Sequence, residues 1–234
     1  MRRALLLLLL LASGLSFPGC SPVVVVPDED RLRTTRELEG RRRWLRVSLF
    51  VGPLFGDREK ALASDQPFPE LELLETPGGQ PIAPPPAEKV LPPGTPVLIR
   101  DVEFPTPWLI ARRVIMTPRY QIWVRLEVPG EPRPVILVLP QRTASYQDVK
   151  DELERVLSTF DPSRDLQSLS AEQRRAVEHK ELLEGMGPGA ATMAWGYPER
   201  RIVDRPAGKE QWIWPGGRRK AWLEDDRVVR FEAR

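Results

Sequence analysis

A single cysteine, Cys20, and a single histidine, His179, stand in 234 residues. One cysteine excludes an intramolecular disulfide. One histidine excludes a metal site of two or more histidines. A serine nucleophile would need His179 as its base, and no Gly-x-Ser-x-Gly elbow offers the serine. His179 lies between Glu178 and Lys180 and reads as an exposed or half-buried helix residue. The glycine-rich run Gly185-Met186-Gly187-Pro188-Gly189 lacks the Lys and Ser/Thr of a phosphate loop, and Pro188 removes one N–H donor. Asp225-Asp226 reads as a turn before it reads as a carboxylate pair. The expectation is a protein that is not an enzyme and needs no cofactor or metal.

Long apolar runs are scarce as well. The one run is Leu5 to Ala12, too short for the roughly 20 residues a membrane-spanning helix needs. Met1-Arg2-Arg3 precedes it, and small residues lead on to Phe17-Pro18-Gly19-Cys20. Positive, apolar, small is the order of a secretory signal. The segment resembles the lipobox of bacterial lipoproteins, with Gly19 directly before the cysteine. The resemblance implies cleavage after residue 19 and a diacylglyceryl group on Cys20. Phe17 and Pro18 depart from the usual aliphatic and small residues of the motif. Ordinary cleavage near Ser13 to Ser16, leaving a free thiol, is the alternative. Stable anchoring takes two signals or more, such as two acyl chains. Ser21 rather than Asp after the cysteine implies the outer membrane, by resemblance to enteric sorting.

Charge of one sign is missing too. The formal net charge is +2, and removal of Arg2 and Arg3 with the signal brings it to zero. A chain without net field is not expected to bind nucleic acid.

What the chain does have is proline, 26 residues, about twice the usual ~5%. Turns and short strands are therefore expected over long helices. Residues 1–19 read as the signal peptide and 20–43 as an arginine-rich tether, either solvated or lying against anionic headgroups. Residues 44–145 read as an all-β unit. Tyr120, Ile122, Val124, Leu126 and Val128 alternate with Gln121, Trp123, Arg125 and Glu127, the period of a half-buried strand. Pro129-Gly130-Glu131-Pro132 turns it toward Val135–Leu139. Leu71–Leu74 and Val97–Phe104 suggest further strands. Leu91 to Ile99, with Gly94-Thr95 ahead of a strand, loosely resembles the bacterial SH3-like barrel. Residues 146–168 read as a linking helix, with Val149, Leu153, Val156 and Leu157 on one face.

The last segment, 169–234, is the most patterned. Ser170 to Gln173 has the form of a capping box and opens a helix expected to run to Gly185. Pro188 opens a second helix, which Gly196 ends. Ile202-Val203, Glu210–Trp214, Lys220–Leu223 and Arg227–Phe231 then alternate with turn residues. Gly185-Met186, Ala194-Trp195-Gly196-Tyr197-Pro198, Gln211-Trp212-Ile213-Trp214 and Val228-Val229-Arg230-Phe231 together resemble the SmpA/OmlA family of BamE-like outer-membrane lipoproteins. Trp214 stands where that family often has tyrosine, and Asp226 replaces a glycine.

The expected fold class is thus α+β: a small all-β SH3-like barrel or sandwich followed by a two-helix, three-stranded antiparallel BamE-like domain. The resemblance implies a non-enzymatic accessory of envelope assembly that binds a protein partner. It would be held at the periplasmic side of the outer membrane through Cys20. The alternative is a lipoprotein that holds peptidoglycan. Trp195, Trp212, Trp214 and Trp222 are the candidate partner-binding residues, since interface anchors are often aromatic. Alternate tryptophans on one strand equally suit packing between helices and sheet.

Overall fold

The computed structural model describes residues 25–233. The signal sequence, Cys20 and Ser21 lie outside the described residues. The described chain is mixed α+β, with six α-helices and two sheets.

The larger sheet has eight strands. They are β1 (Arg42–Leu45), β2 (Leu49–Leu54), β3 (Asp57–Ser64), β4 (Lys89–Leu91), β5 (Pro96–Glu103), β6 (Trp123–Glu127), β7 (Val135–Val138) and β8 (Leu157–Ser158), in the spatial order β4-β2-β3-β7-β6-β5-β1-β8. All neighbours are antiparallel except β3 and β7, which run parallel from Ala61↔Val135 to Ala63↔Leu137. Its end strands β4 and β8 do not pair, so the sheet is open and is not the closed SH3-like barrel that was expected. Both end strands are very short, one way to blunt exposed edges.

Both faces of this sheet are covered. Leu45, Val51, Val124, Leu126, Val135 and Leu137 face one core. Leu54, Leu62, Trp123 and Ile136 face the other, beneath Phe68 and Leu71. The alternation expected over 120–128 holds on one side only, because Trp123, placed on the polar side by that pattern, is buried in the second core. Its strand is also shorter than expected and leaves Tyr120 outside. Leu71–Leu74 is not a strand. It follows a 3-10 turn at Phe68–Glu70 that lays Phe68 and Leu71 on the second face.

Two expected connectors turn out to be part of this unit. Of the tether at 20–43, residues Asp28–Leu38 form α1, which packs on β5. Val26 and Leu38 are buried in the first core. The segment at 146–168 is not one linking helix. α3 (Tyr146–Val156) opens with a full capping box between Ser145 and Asp148, and buries Tyr146, Val149 and Leu153 in the first core. It ends at Leu157, where the chain extends into β8 and joins the edge of β1. The Tyr146 hydroxyl donates to Glu37 Oε2 at 2.6 Å, and the Arg33 guanidinium lies 4.0 Å over the Tyr146 ring. This ties α3 to α1. The heptad-like face of α3 was visible in the sequence. The partner it packs against was not, because arginines dominate 31–43.

The C-terminal unit holds α4 (Ser163–Ser168), α5 (Ala171–Glu178), α6 (Pro188–Trp195) and a four-stranded antiparallel sheet. Its strands are β9 (Arg200–Asp204), β10 (Lys209–Ile213), β11 (Arg219–Glu224) and β12 (Arg227–Ala233), in the order β12-β11-β10-β9. All four strand segments read from the sequence pair, one more than the three the family resemblance implies, because β9 pairs along its length with β10, from Arg200↔Ile213 to Asp204↔Lys209. No side chain of β9 is buried, so backbone pairing rather than burial defines it. Asp225 and Asp226 turn β11 into β12 with φ of 46° and 58°, the positive values a two-residue hairpin turn requires. α5 stops at Glu178 instead of running to Gly185. Lys180 takes φ 58°, and the Glu181 N–H bonds back to the Ala176 carbonyl at 2.8 Å, a Schellman-type end. Of the capping box, Ser170 Oγ accepts from the Gln173 N–H.

If α1 is part of the fold, Leu38→Ala should lower stability by about 2–4 kcal/mol, the usual range for emptying a buried leucine site. Chemical denaturation measures this. A free tether would give a change within about 0.5 kcal/mol.

Candidate functional site

The four tryptophans singled out from the sequence do not share one environment. Trp212 and Trp214 point to the same side of β10, toward the helices, and are 2% and 1% exposed. Trp195, at the end of α6, is 5% exposed and meets Trp214 edge-on at 5.0 Å between centroids. Trp214 Nε1 donates to the Gly196 carbonyl, and Trp195 Nε1 to the Lys180 carbonyl. Buried indoles with satisfied N–H groups are core, so Trp195 and Trp214 are packing residues, whereas Trp212, though buried, also lines the groove described below. Trp222 alone lies on the outer face, opposite in alternation to the buried Ala221 and Leu223. It is half-buried under Arg230, whose guanidinium sits 4.5 Å over its ring.

Where the two units meet, a seam forms that the sequence did not reveal. Ser48, between β1 and β2, is fully buried. Its Oγ donates to the Val177 carbonyl and its N–H to the Met193 carbonyl. Lys180, turned inward by its positive φ, sends Nζ across to the Ser48 carbonyl at 2.6 Å and the Ala194 carbonyl at 2.9 Å. Its ammonium lies 5.1 Å from the centre of the Phe50 ring. Nearby, the buried Arg219 donates from Nε to Glu70 Oε2 at 3.0 Å. Gly196 ends α6 at φ +79°, and a Cβ there would lie 2.5 Å from Asp65 Oδ2. Only glycine allows that approach. Burial pushes the Lys180 ammonium down to about 7. The nearby Asp65 opposes that shift and Arg219 adds to it. Arg219 is also lowered by burial, against Glu70 and Asp65.

A groove of about 590 Å³ opens along the other side of this seam. Apolar groups line it, among them Phe160, Pro188, Met193, Tyr197 and Pro198. Phe160, on the connector between β8 and α4, is 81% exposed, the most exposed large apolar side chain among the described residues. The connector is fixed rather than loose: the Phe160 N–H donates to Ser158 Oγ, and Asp161 Oδ1 accepts from the Ser163 N–H. Arg201 and Trp212, both in the lining, donate to Glu210 Oε2 at 2.6 Å and, from Nε1, at 2.7 Å. These two bonds, the indole first, hold the Glu210 carboxyl below its ordinary value. The groove therefore has an apolar floor and a charged rim, the layout of a protein-binding surface. Sequence reasoning missed Phe160 because it sits outside any periodic segment. A second cleft of about 430 Å³ is lined by acidic groups, but Glu70 is paired with Arg219 and Glu152 with Arg142.

Among the described residues no cluster of three or more His, Cys, Asp or Glu is placed to hold a metal ion. His179, which follows the last residue of α5, is bound through Nδ1 to the Arg175 carbonyl.

Lys180 makes the seam pH-sensitive in a defined direction. Its folded value, about 7, lies below the ordinary 10.5. Between these values the unfolded chain holds a proton that the folded chain does not, so this lysine's contribution to stability grows as pH rises. It is present in full above about 10 and falls away as pH drops through about 7. Denaturation at stepped pH should show stability rising by up to about 1.4 kcal/mol per unit over this window. Lys180→Met should flatten that slope. An unchanged slope in the variant would show that Lys180 is not its source.

No protein-family model, no curated protein and no solved structure matches this chain.

Proposed function

We propose that this protein is a non-enzymatic lipoprotein, anchored through Cys20 at the periplasmic face of the outer membrane, that holds a protein partner in envelope assembly or maintenance. The observation that carries the proposal is the groove at the seam, with Phe160 standing 81% exposed on an ordered connector. Interface energy concentrates on a few aromatic anchors set in such a patch. Phe160 continues the apolar lining formed by Pro188, Met193, Tyr197 and Pro198, and it is such a contiguous exposed patch, rather than one exposed side chain, that marks an interaction surface. The resemblance of residues 175–232 to the SmpA/OmlA family supports the same reading, and points to an accessory of the β-barrel assembly machinery. The order of two helices followed by an antiparallel meander is compatible with that family's domain. A shared fold alone does not assign a role, so the groove and not the resemblance carries the argument.

The wall-binding reading is tested by the same experiment. A photo-crosslinking phenylalanine analogue at position 160 should give one dominant adduct with a barrel-assembly component. Mass spectrometry of the mature N-terminus should show acylated Cys20. Phe160→Ala should weaken partner capture at least ~10-fold, the effect of losing one anchor worth more than about 1.4 kcal/mol. Its stability should stay within about 0.5 kcal/mol of the parent, as expected for an exposed position. Adducts with cell-wall fragments alone would replace the partner reading with peptidoglycan binding. An unacylated, soluble mature chain would overturn the lipoprotein reading.

A further inference from the structure

Five of the twelve exposed large apolar side chains among the described residues lie between 108 and 120: Trp108 at 62%, Val114 at 42%, Ile115 at 76%, Met116 at 51% and Tyr120 at 47%. They belong to a single excursion of the chain between β5 and β6. The excursion opens with α2 (Pro107–Arg112), capped by Thr106 and led by Pro107, in which no residue is buried. An isolated six-residue helix with nothing buried would not persist in water. Here its base is fastened.

Arg113, 7% exposed, is the fastener. Its guanidinium lies 3.9 Å over the Trp123 ring. Nη1 donates to the Arg119 carbonyl at 2.9 Å and the Gln121 carbonyl at 2.8 Å, and Nη2 reaches Glu103 Oε2 at 3.1 Å. Thr117 Oγ1 donates to the Val114 carbonyl at 2.6 Å, and Trp123 Nε1 to the Pro118 carbonyl at 2.8 Å. The Gly56 N–H, in the β2–β3 turn, donates to the Met116 carbonyl. Arg113 and Thr117 are thus turned inward and bonded to backbone carbonyls, while the segment's large apolar groups are turned to solvent. That is the reverse of a loop built to sit in water.

Composition narrows what would cover it. From Phe104 to Trp123 there is no acidic residue, in a chain that has 33. The charges that remain are arginines. Arg113 is neutralised by Glu103, Arg112 is exposed beside Trp108 with its guanidinium 4.4 Å over the indole, and Arg119 lies next to Tyr120. Tryptophan and tyrosine flanked by arginine, with Ile, Met and Val beyond them, match the depth profile of a bilayer interface. The amphipathic rings sit at headgroup level, the aliphatic groups go deeper, and the cations meet anionic phosphates.

Placement agrees. The Arg31 guanidinium lies 5.8 Å from the centre of the Phe104 ring, and its Nε donates to the Val26 carbonyl. The first described residues therefore lie near Phe104, where the excursion leaves β5, with Val26 and Phe104 in the first core and the finger fastened over Trp123 of the second. Cys20 precedes Val25 by only five residues, at most about 18 Å of extended chain.

We propose that segment 107–120 is a membrane-contact finger that seats Trp108, Ile115 and Met116 in the interface of an anionic bilayer, as a second attachment beside the N-terminus. The proposal deepens the lipoprotein reading by naming the surface that faces the membrane. It does not require the acyl group.

The test places one environment-sensitive fluorophore on the full chain carrying Cys20→Ala and Ile115→Cys, with vesicles of phosphatidylglycerol and phosphatidylcholine. Fluorescence is read only from protein that floats with the vesicles. The expected result is a blue shift and quenching by shallow spin-labelled lipids at position 115. The same label on Ile202→Cys, also exposed but on the C-terminal sheet, should stay aqueous. Adding Trp108→Asp and Met116→Asp should lower the quenched fraction at least ~10-fold, since carboxylates are strongly disfavoured among lipid tails. A label at 115 that stays aqueous on vesicle-bound protein overturns the proposal, as does failure of the chain to float with the vesicles at all. So does protection at 115 that appears only with the partner crosslinked at Phe160, which would make the finger a protein contact. Loss of acylation is read separately, in the N-terminal mass, so failure of the anchor and failure of the finger give different results.

Discussion

The buried amino group of Lys180 is the contact on which the two halves of the molecule depend. It bridges the Ser48 carbonyl of the large-sheet unit and the Ala194 carbonyl of the C-terminal unit, and it is buried with no carboxylate in hydrogen-bonding contact. A buried cation costs several kcal/mol unless its donors are satisfied. The local backbone exists to satisfy it: α5 stops at Glu178, Lys180 adopts φ 58°, and Trp195 caps the Lys180 carbonyl. Ser48 completes the exchange by bonding Val177 and Met193. The polar groups of the seam are shared between the units, so opening it would strand donors and acceptors on both sides.

The remainder of the seam follows from this point. Gly196 lets the end of α6 approach Asp65, and Arg219 reaches Glu70 from β11. With the units locked, the connector from β8 to α4 runs along the groove and leaves Phe160 exposed at its edge. The apolar finger at 107–120 is fastened separately, by Arg113 and Trp123 on the far side of the large sheet from the first core. One chain thus carries two outward apolar features on rigid mounts, one read as a partner contact and one as a membrane contact.

Much of the local structure was legible in the sequence. The C-terminal meander, the Pro188 start and Gly196 stop of α6, and the β6–β7 hairpin follow from alternation and turn residues whose physics is local. What was not legible depended on remote partners. Period-two reading assigns one buried face, so it could not see that Trp123 and Ile136 fill a second core. The arginines of 31–43 masked the apolar side of α1. Lys180 reads as one more solvated cation on a helix, because only the positive φ at its own position turns it inward. Trp212 and Trp214 were placed on one side of a strand, but the side that was filled depended on where α6 packs.

The claim that the seam makes one body of two units is tested most directly by equilibrium unfolding followed with two probes. Tryptophan fluorescence reports on the cluster of Trp195, Trp212 and Trp214 together with Trp44, Trp108 and Trp123 of the large-sheet unit, and far-ultraviolet circular dichroism reports on both sheets. The account predicts a single transition with coincident midpoints and one m-value, as for a cooperative two-state domain. Two separated transitions, with the tryptophan cluster melting while the large sheet persists, would contradict it.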